Sequence, residues 1–329
     1  MYRLRAELFD NCLAMTKKNN IKHFIGIYLR GMAMGAADVV PGVSGGTVAF
    51  ITGIYEELLS SIKSVNSDAI KLLLKGEWAA FWQHTNANFL VVLLLGIVSS
   101  IAFLARLVSY CLENHPLLVW SFFFGLIAAS SLHMMRQIKR WRLDLLVAIA
   151  LGVFVAYGVT ELKPSELSPN LLMVFGAGCI AICAMILPGI SGSFILVLLG
   201  MYGYILQAVK DFQIAIIMVF VAGCGIGLLS FSHLLSWLFK RFHDATLALL
   251  TGFLIGSLNL VWPWKNTLSY YTSSSGKPKA LEQENVLPAT YELLSGAESF
   301  AISCMGLMVL GAFLVLLLEK VGEKVSKAS

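Results

Sequence analysis

Two short stretches of this chain place proline, glycine and hydroxyl residues inside apolar sequence: PGVSGGT (Pro41 to Thr47) and PGISGS (Pro188 to Ser193). Proline ends a helix because it offers no amide and clashes with the preceding turn. The glycines allow a tight reversal, and Ser44 or Ser191 can cap the helix that follows. The expected product is a helix, a tight loop and a fresh helix N-terminus. At such a terminus the unsatisfied N–H groups and the helix dipole favour an anion. Ser44, Gly45, Gly46 and Thr47 from one stretch, with Ser191, Gly192 and Ser193 from the other, are therefore candidate ligands of a phosphate-sized anion. Pro41, Gly42, Pro188 and Gly189 are the helix-breaking residues that would place them. Close packing by small residues is the plainer use of the same motif.

Two charged residues sharpen the first stretch. Arg30 falls within an apolar run, where a charge costs ~2.5–3.5 kcal/mol at a helix centre, so it is a candidate for binding phosphate. Its alternative is to snorkel to the membrane surface near Lys22. Asp38 would lie ~12 Å along the same helix and ~80° around it, a separation that suits a bridging phosphate better than a direct salt bridge. Asp38 is a candidate proton carrier or a cap for the broken helix. Ala177 and Met185 stand at the matching positions near the second stretch, which makes the site asymmetric. Arg106 and His133 also fall in apolar runs, where snorkelling or helix packing accounts for them.

The elements that must hold these residues are membrane helices. Of 329 residues, 58% are hydrophobic and 13% charged, and the mean hydropathy is +0.79, outside the range of soluble domains. The expected class is an all-α polytopic membrane protein. The first 20 residues lack an uninterrupted apolar core and a cleavage site, so no cleaved signal peptide is expected. The net charge of +5 sits in short loops and does not point to nucleic acid. The six cysteines and six histidines show no C-x-x-C or H-E-x-x-H spacing, so neither a metal nor a cofactor is expected.

Single apolar runs are expected to span at about Asn88–Leu112, Leu117–Met135, Leu143–Val159, Ile214–Phe239, Ala245–Trp262 and Ser299–Leu318. Two longer blocks, near 22–62 and 170–206, contain the breaks. Between Gly46 and Tyr55 the first returning arm has about ten residues, ~15 Å of helix, or half a bilayer, which favours a re-entrant hairpin. Treating each block as going in and coming back puts 17 of the 24 basic residues on one side, so both termini are expected to be cytoplasmic.

Three spans then separate the blocks, so the second has the opposite orientation to the first. The chain divides into an N-terminal arm (1–21), repeat 1 (22–159), repeat 2 (170–318) with an external loop (265–297), and a tail (319–329), all in one membrane domain. Each repeat is a broken hairpin followed by three spans, an inverted repeat of the kind transporters use. VPGVSGGTVAFITGIY (Val40 to Tyr55) and LPGISGSFILVLLGMY (Leu187 to Tyr202) share proline, glycines, serine and tyrosine in register, and GLIAAS (Gly125 to Ser130) echoes GFLIGS (Gly252 to Ser257).

MGAADVVPGVSGGTVAFITGIYEELL resembles the signature of bacterial and archaeal membrane proteins taken to be polyprenyl-phosphate transporters, the PopT group, and the resemblance runs nearly the whole chain. It implies a flippase of the bacterial inner membrane that returns undecaprenyl phosphate from the outer to the cytoplasmic leaflet for reuse in cell-wall synthesis. Its partners would be that lipid, the surrounding membrane lipids and, through Asp38, protons. The runner-up is an enzyme on a related lipid. Undecaprenyl-pyrophosphate phosphatases of the BacA kind resemble P-G-x-S-R-S-G in paired re-entrant loops, but glycine stands here in place of that arginine, at Gly45 and Gly192. A small-anion transporter would use the same helix termini. A cysteine introduced at Ser274 in the long polar loop should label from outside intact cells and one at Lys139 should not; the reverse pattern inverts the topology.

Overall fold

The computed structural model describes residues 21–39, 44–138, 141–162, 169–272 and 278–327. Pro41, Gly42, Lys139, Ser274 and the first twenty residues of the N-terminal arm lie outside them. The first half comprises α1 (Ile21–Val39), α2 (Gly45–Ile51), α3 (Tyr55–Lys63), α4 (Ser67–Leu74), α5 (Trp78–His84), α6 (Ala87–Asn114), α7 (Pro116–Gln137) and α8 (Leu143–Glu161). The second comprises α9 (Leu171–Ile186), α10 (Gly192–Leu198), α11 (Tyr202–Lys210), α12 (Ile214–Arg241), α13 (His243–Ser257), strands β1 (Lys265–Thr272) and β2 (Pro278–Asn285), α14 (Pro288–Ser295) and α15 (Ala301–Lys327).

Three helices, α7, α8 and α12, are each long and apolar enough to cross a membrane, and up to five spans result if the bent pairs α5–α6 and α10–α11 each count as one. The chain is an integral membrane protein. The helices follow the apolar runs closely, except that α13 stops at Ser257, short of the expected Trp262.

Each long block breaks twice. After the proline-glycine break, α2 and α10 run for only 7 residues apiece. That is ~10 Å of helix, a third of a ~30 Å hydrocarbon core, and shorter than the ten residues expected of the first arm. The second break falls at Gly53 (φ 73°) and Gly200 (φ 66°), left-handed positions that glycine adopts at little cost. Beyond Gly200 the chain turns by 108° into α11.

The same close approaches hold both halves together. In the register that aligns Val40 with Leu187 and Gly125 with Gly252, α1 packs on α6 as α9 packs on α12. A Cβ on Gly31 would overlap the Leu93 carbonyl and one on Gly96 the Tyr28 carbonyl; on the other side Gly178 and Gly223 face the Phe220 and Phe175 carbonyls in the same way. Across the halves, α7 packs on α15 through Gly125 and Gly311, and α13 packs on α8 through Gly252 and Gly152. Glycine at each crossing lets the backbones approach, which is how membrane helices gain dispersion energy without a hydrophobic drive.

The polar segment 265–297, expected as a loop in an all-α chain, instead forms an antiparallel hairpin and a short helix. Its first strand, KNTLSYYT, supplies the threonine and tyrosine residues that favour strands. Trp262 and Trp264 clamp the segment, their indole N–H groups donating to the Val286 and Ser299 carbonyls at 2.9 Å each. Lys265 donates to the Leu260 carbonyl at 2.8 Å, and burial pulls its ammonium down to about 8 while Glu161 opposes that shift.

Gly31→Ala should lower thermal stability in detergent by about 1–3 kcal/mol, because the new methyl meets backbone. Gly26→Ala on the same helix, where a Cβ meets nothing, should leave the melting temperature unchanged or raise it.

Candidate functional site

A helix that ends inside a membrane leaves carbonyls without partners, and a helix that begins there leaves amides. At the end of α9 the orphan groups are satisfied by the first broken segment. The Ser44 hydroxyl donates to the Met185 carbonyl at 2.8 Å, and the Tyr55 hydroxyl to the Ile186 carbonyl at 3.2 Å. In return, the Gly189 amide donates to the Thr47 hydroxyl at 3.0 Å. A Cβ on Gly46 would overlap the Ile186 carbonyl, so the C-terminus of α9 abuts the N-terminus of α2. Ser44, Thr47, Tyr55 and Ser191 are all buried. The two breaks therefore meet.

The amides of the two helix starts differ in their partners. At α2 the Gly45 amide donates to an Asp38 carboxylate oxygen at 2.7 Å, the Gly46 amide to the Ser44 hydroxyl at 3.1 Å, and the Thr47 amide to the Ser44 carbonyl at 2.9 Å. The first amide of α2 is thus already taken by the side chain of Asp38. At α10 the Ser191 and Ser193 hydroxyls bond each other at 2.9 Å, and Ser191 makes no capping bond. Among the described residues, the amides of Gly192 and Ser193 have no acceptor. A Cβ on Gly192 would crowd the Ala181 carbonyl, so this helix start is pressed against α9.

Ser44, Gly45, Gly46, Thr47 and Asp38 come together with Pro188, Gly189 and the end of α9. Arg30 is half-buried on α1 and makes no ion pair with Asp38, or with Glu57 on α3, among the described residues. Glu57 is itself held by the Asn86 side-chain amide at 3.0 Å. Arg106 lies on an exposed face of α6, and a His133 ring nitrogen lies 2.9 Å from the Gln137 side-chain nitrogen. The residue that sequence reasoning missed is Tyr55. It carried a signal, since tyrosine ends both matched stretches, but its target is a backbone carbonyl far along the chain.

The chain is similar to known proteins across most of its length. A family model described as VCA0040-like, undecaprenyl phosphate translocase-like, matches residues 34–279. A protein of Vibrio cholerae serotype O1 named polyprenyl-phosphate transporter is 52% identical over 302 residues, covering 92% of this chain and 98% of that protein. A Staphylococcus aureus protein of the same name is 30% identical over 254 residues, covering 71% of this chain and 85% of its own. No solved structure matches.

Thr47→Val and Tyr55→Phe should each destabilise the protein by about 1–3 kcal/mol, because each leaves a buried backbone group without its partner. Tyr202→Phe, at the matching but exposed position, should not shift the melting temperature.

Proposed function

We propose that this chain, which belongs to the VCA0040-like, undecaprenyl phosphate translocase-like family, transports a polyprenyl phosphate across its membrane. The observation that carries the reading is the meeting of two broken helices, one of which presents amides that have no acceptor among the described residues, beside two serine hydroxyls that bond each other. Those groups, at Ser191, Gly192 and Ser193, suit a phosphate monoester. Ser44, Gly45, Gly46 and Thr47 form the second seat, which Asp38 now fills. A carboxylate and a phosphate cannot share it, so the headgroup reaches these amides only as Asp38 takes up a proton or swings away. That competition gives the transport step a natural coupling to protons. Arg30, half-buried on α1, is the cation assigned to the headgroup.

The direction of transport is from the outer to the cytoplasmic leaflet of the bacterial inner membrane, with both termini cytoplasmic. Two inverted repeats, 22–159 and 170–318, bring their hairpins in from opposite faces. The shared glycine crossings and the 7-residue returning arms support that architecture. The phosphate crosses between the hairpins while the polyprenyl tail stays in lipid. Transport rather than hydrolysis fits loops that carry glycine where a phosphatase would need arginine to stabilise a transferring phosphoryl group.

The test is purified protein in liposomes with labelled undecaprenyl phosphate, following leaflet accessibility and phosphate release in one sample. Accessibility should change with no phosphate released; release, or no change in accessibility, would overturn the reading. Gly192→Leu should abolish transport while the protein still inserts. Asp38→Asn should remove the dependence on a pH gradient and leave binding of the lipid largely intact, whereas Arg30→Gln should weaken binding first. Normal gradient-driven transport by Asp38→Asn would make Asp38 a structural cap.

A further inference from the structure

The two halves share one frame, yet their broken segments do not occupy equivalent places. Helix α3 crosses to the opposite half and packs on the C-terminal end of α12. There the Tyr55 ring lies edge-on to Phe239 with centroids 6.0 Å apart, and a Glu56 carboxylate oxygen lies 3.6 Å from a His243 ring nitrogen. Its counterpart α11 packs on α10 and α12 of its own half, and among the described residues has no comparable contact with α6. Likewise α2 reaches α9, α7 and α15, while the equivalent neighbours of α10, namely α1, α13 and α8, are not in such contact. Tyr55 is 2% exposed and Tyr202 is 39% exposed.

The landing place for α11 nevertheless exists. The end of α12 that receives α3 is repeated at the end of α6: both helices are 28 residues long, and the residues that follow them, Phe242 (φ −137°, ψ 52°) and His115 (φ −136°, ψ 51°), have the same backbone conformation. In this register Leu235 and Phe239, both buried and the latter against Tyr55 of α3, correspond to Val108 and Leu112, which are half-exposed. Glu56 and His243 correspond to Gly203 and Pro116, both on the surface near the start of α11 and α7, and a Cβ on Gly203 would meet nothing.

We infer that the C-terminal end of α6, with the start of α7, is a second docking surface whose occupant is α11, and that α11 docks there when α3 leaves α12. The Ser191 and Tyr202 hydroxyls then take the Asp38 and Val39 carbonyls, as Ser44 and Tyr55 now take those of Met185 and Ile186. The exchange turns one arrangement into its mirror in the sequence, so the same contacts close the opposite approach to the seat. With the termini cytoplasmic, as proposed above, the observed arrangement is closed toward the cytoplasm. The purpose of the exchange rests on the transport reading, but the docking itself does not.

Two cysteine pairs test it in the full-length protein in native membranes, with the natural cysteines replaced. Glu56→Cys with His243→Cys reports the observed contact, and Gly203→Cys with Pro116→Cys reports the inferred one. All four positions are exposed, so neither pair disturbs the core. A short bifunctional thiol reagent should link both pairs. In the variant with all four cysteines, proteolysed and weighed, each molecule should carry one link or the other. Linkage of the first pair alone, or both links in one molecule, would overturn the exchange, as would failure of the first pair to link. If both pairs link exclusively but liposomes show no movement of polyprenyl phosphate, the exchange stands and the substrate reading falls.

Discussion

A backbone group that loses its partner in hydrocarbon costs several kcal/mol, and everything distinctive in this protein follows from how that cost is met. Each half interrupts a membrane helix and thereby strands carbonyls on one side of the break and amides on the other. The second break is repaired largely by the first, through Ser44, Thr47 and Tyr55. The two hairpins are consequently not independent loops: the fold of one depends on the presence of the other. The long helices, paired through facing glycines, serve as the rigid walls that hold the two breaks at this distance.

The repair is incomplete, and the shortfall is informative. At α2 the chain supplies its own anion, the carboxylate of Asp38, against the Gly45 amide. At α10 the matching residue is Met185, whose side chain can accept nothing comparable, and among the described residues the amides of Gly192 and Ser193 have no acceptor. The two helix starts therefore differ, since one has a carboxylate on its first amide and the other has a thioether at the matching sequence position.

Much of this was legible in the sequence because it is local. Helix breaks follow from proline and glycine and span limits from apolar runs, so α6, α7, α8, α12 and α15 fall where their composition places them. The capping by Ser44 was legible for the same reason. The Asp38 cap was open between two readings, because a contact across a loop of unknown path cannot be read from helical spacing. Tyr55 to Ile186 and Asn86 to Glu57 depend on tertiary approach and leave no spacing in the sequence. The second breaks at Gly53 and Gly200 were hidden by apolar neighbours that suit a continuous helix. The hairpin at 265–285 was masked by its polarity, which reads as loop until Trp262 and Trp264 are seen to pin it.

Transport as proposed above places the phosphate on the amides that begin α10. Solid-state NMR can measure it, with the protein selectively labelled with nitrogen-15 at glycine and serine and reconstituted with polyprenyl phosphate, by following dipolar dephasing between the phosphorus and each amide. Strong dephasing is expected at Gly192 and Ser193, at hydrogen-bonding range, with its loss in Gly192→Leu. Dephasing confined to amides elsewhere in the chain, with none at these two, would contradict it.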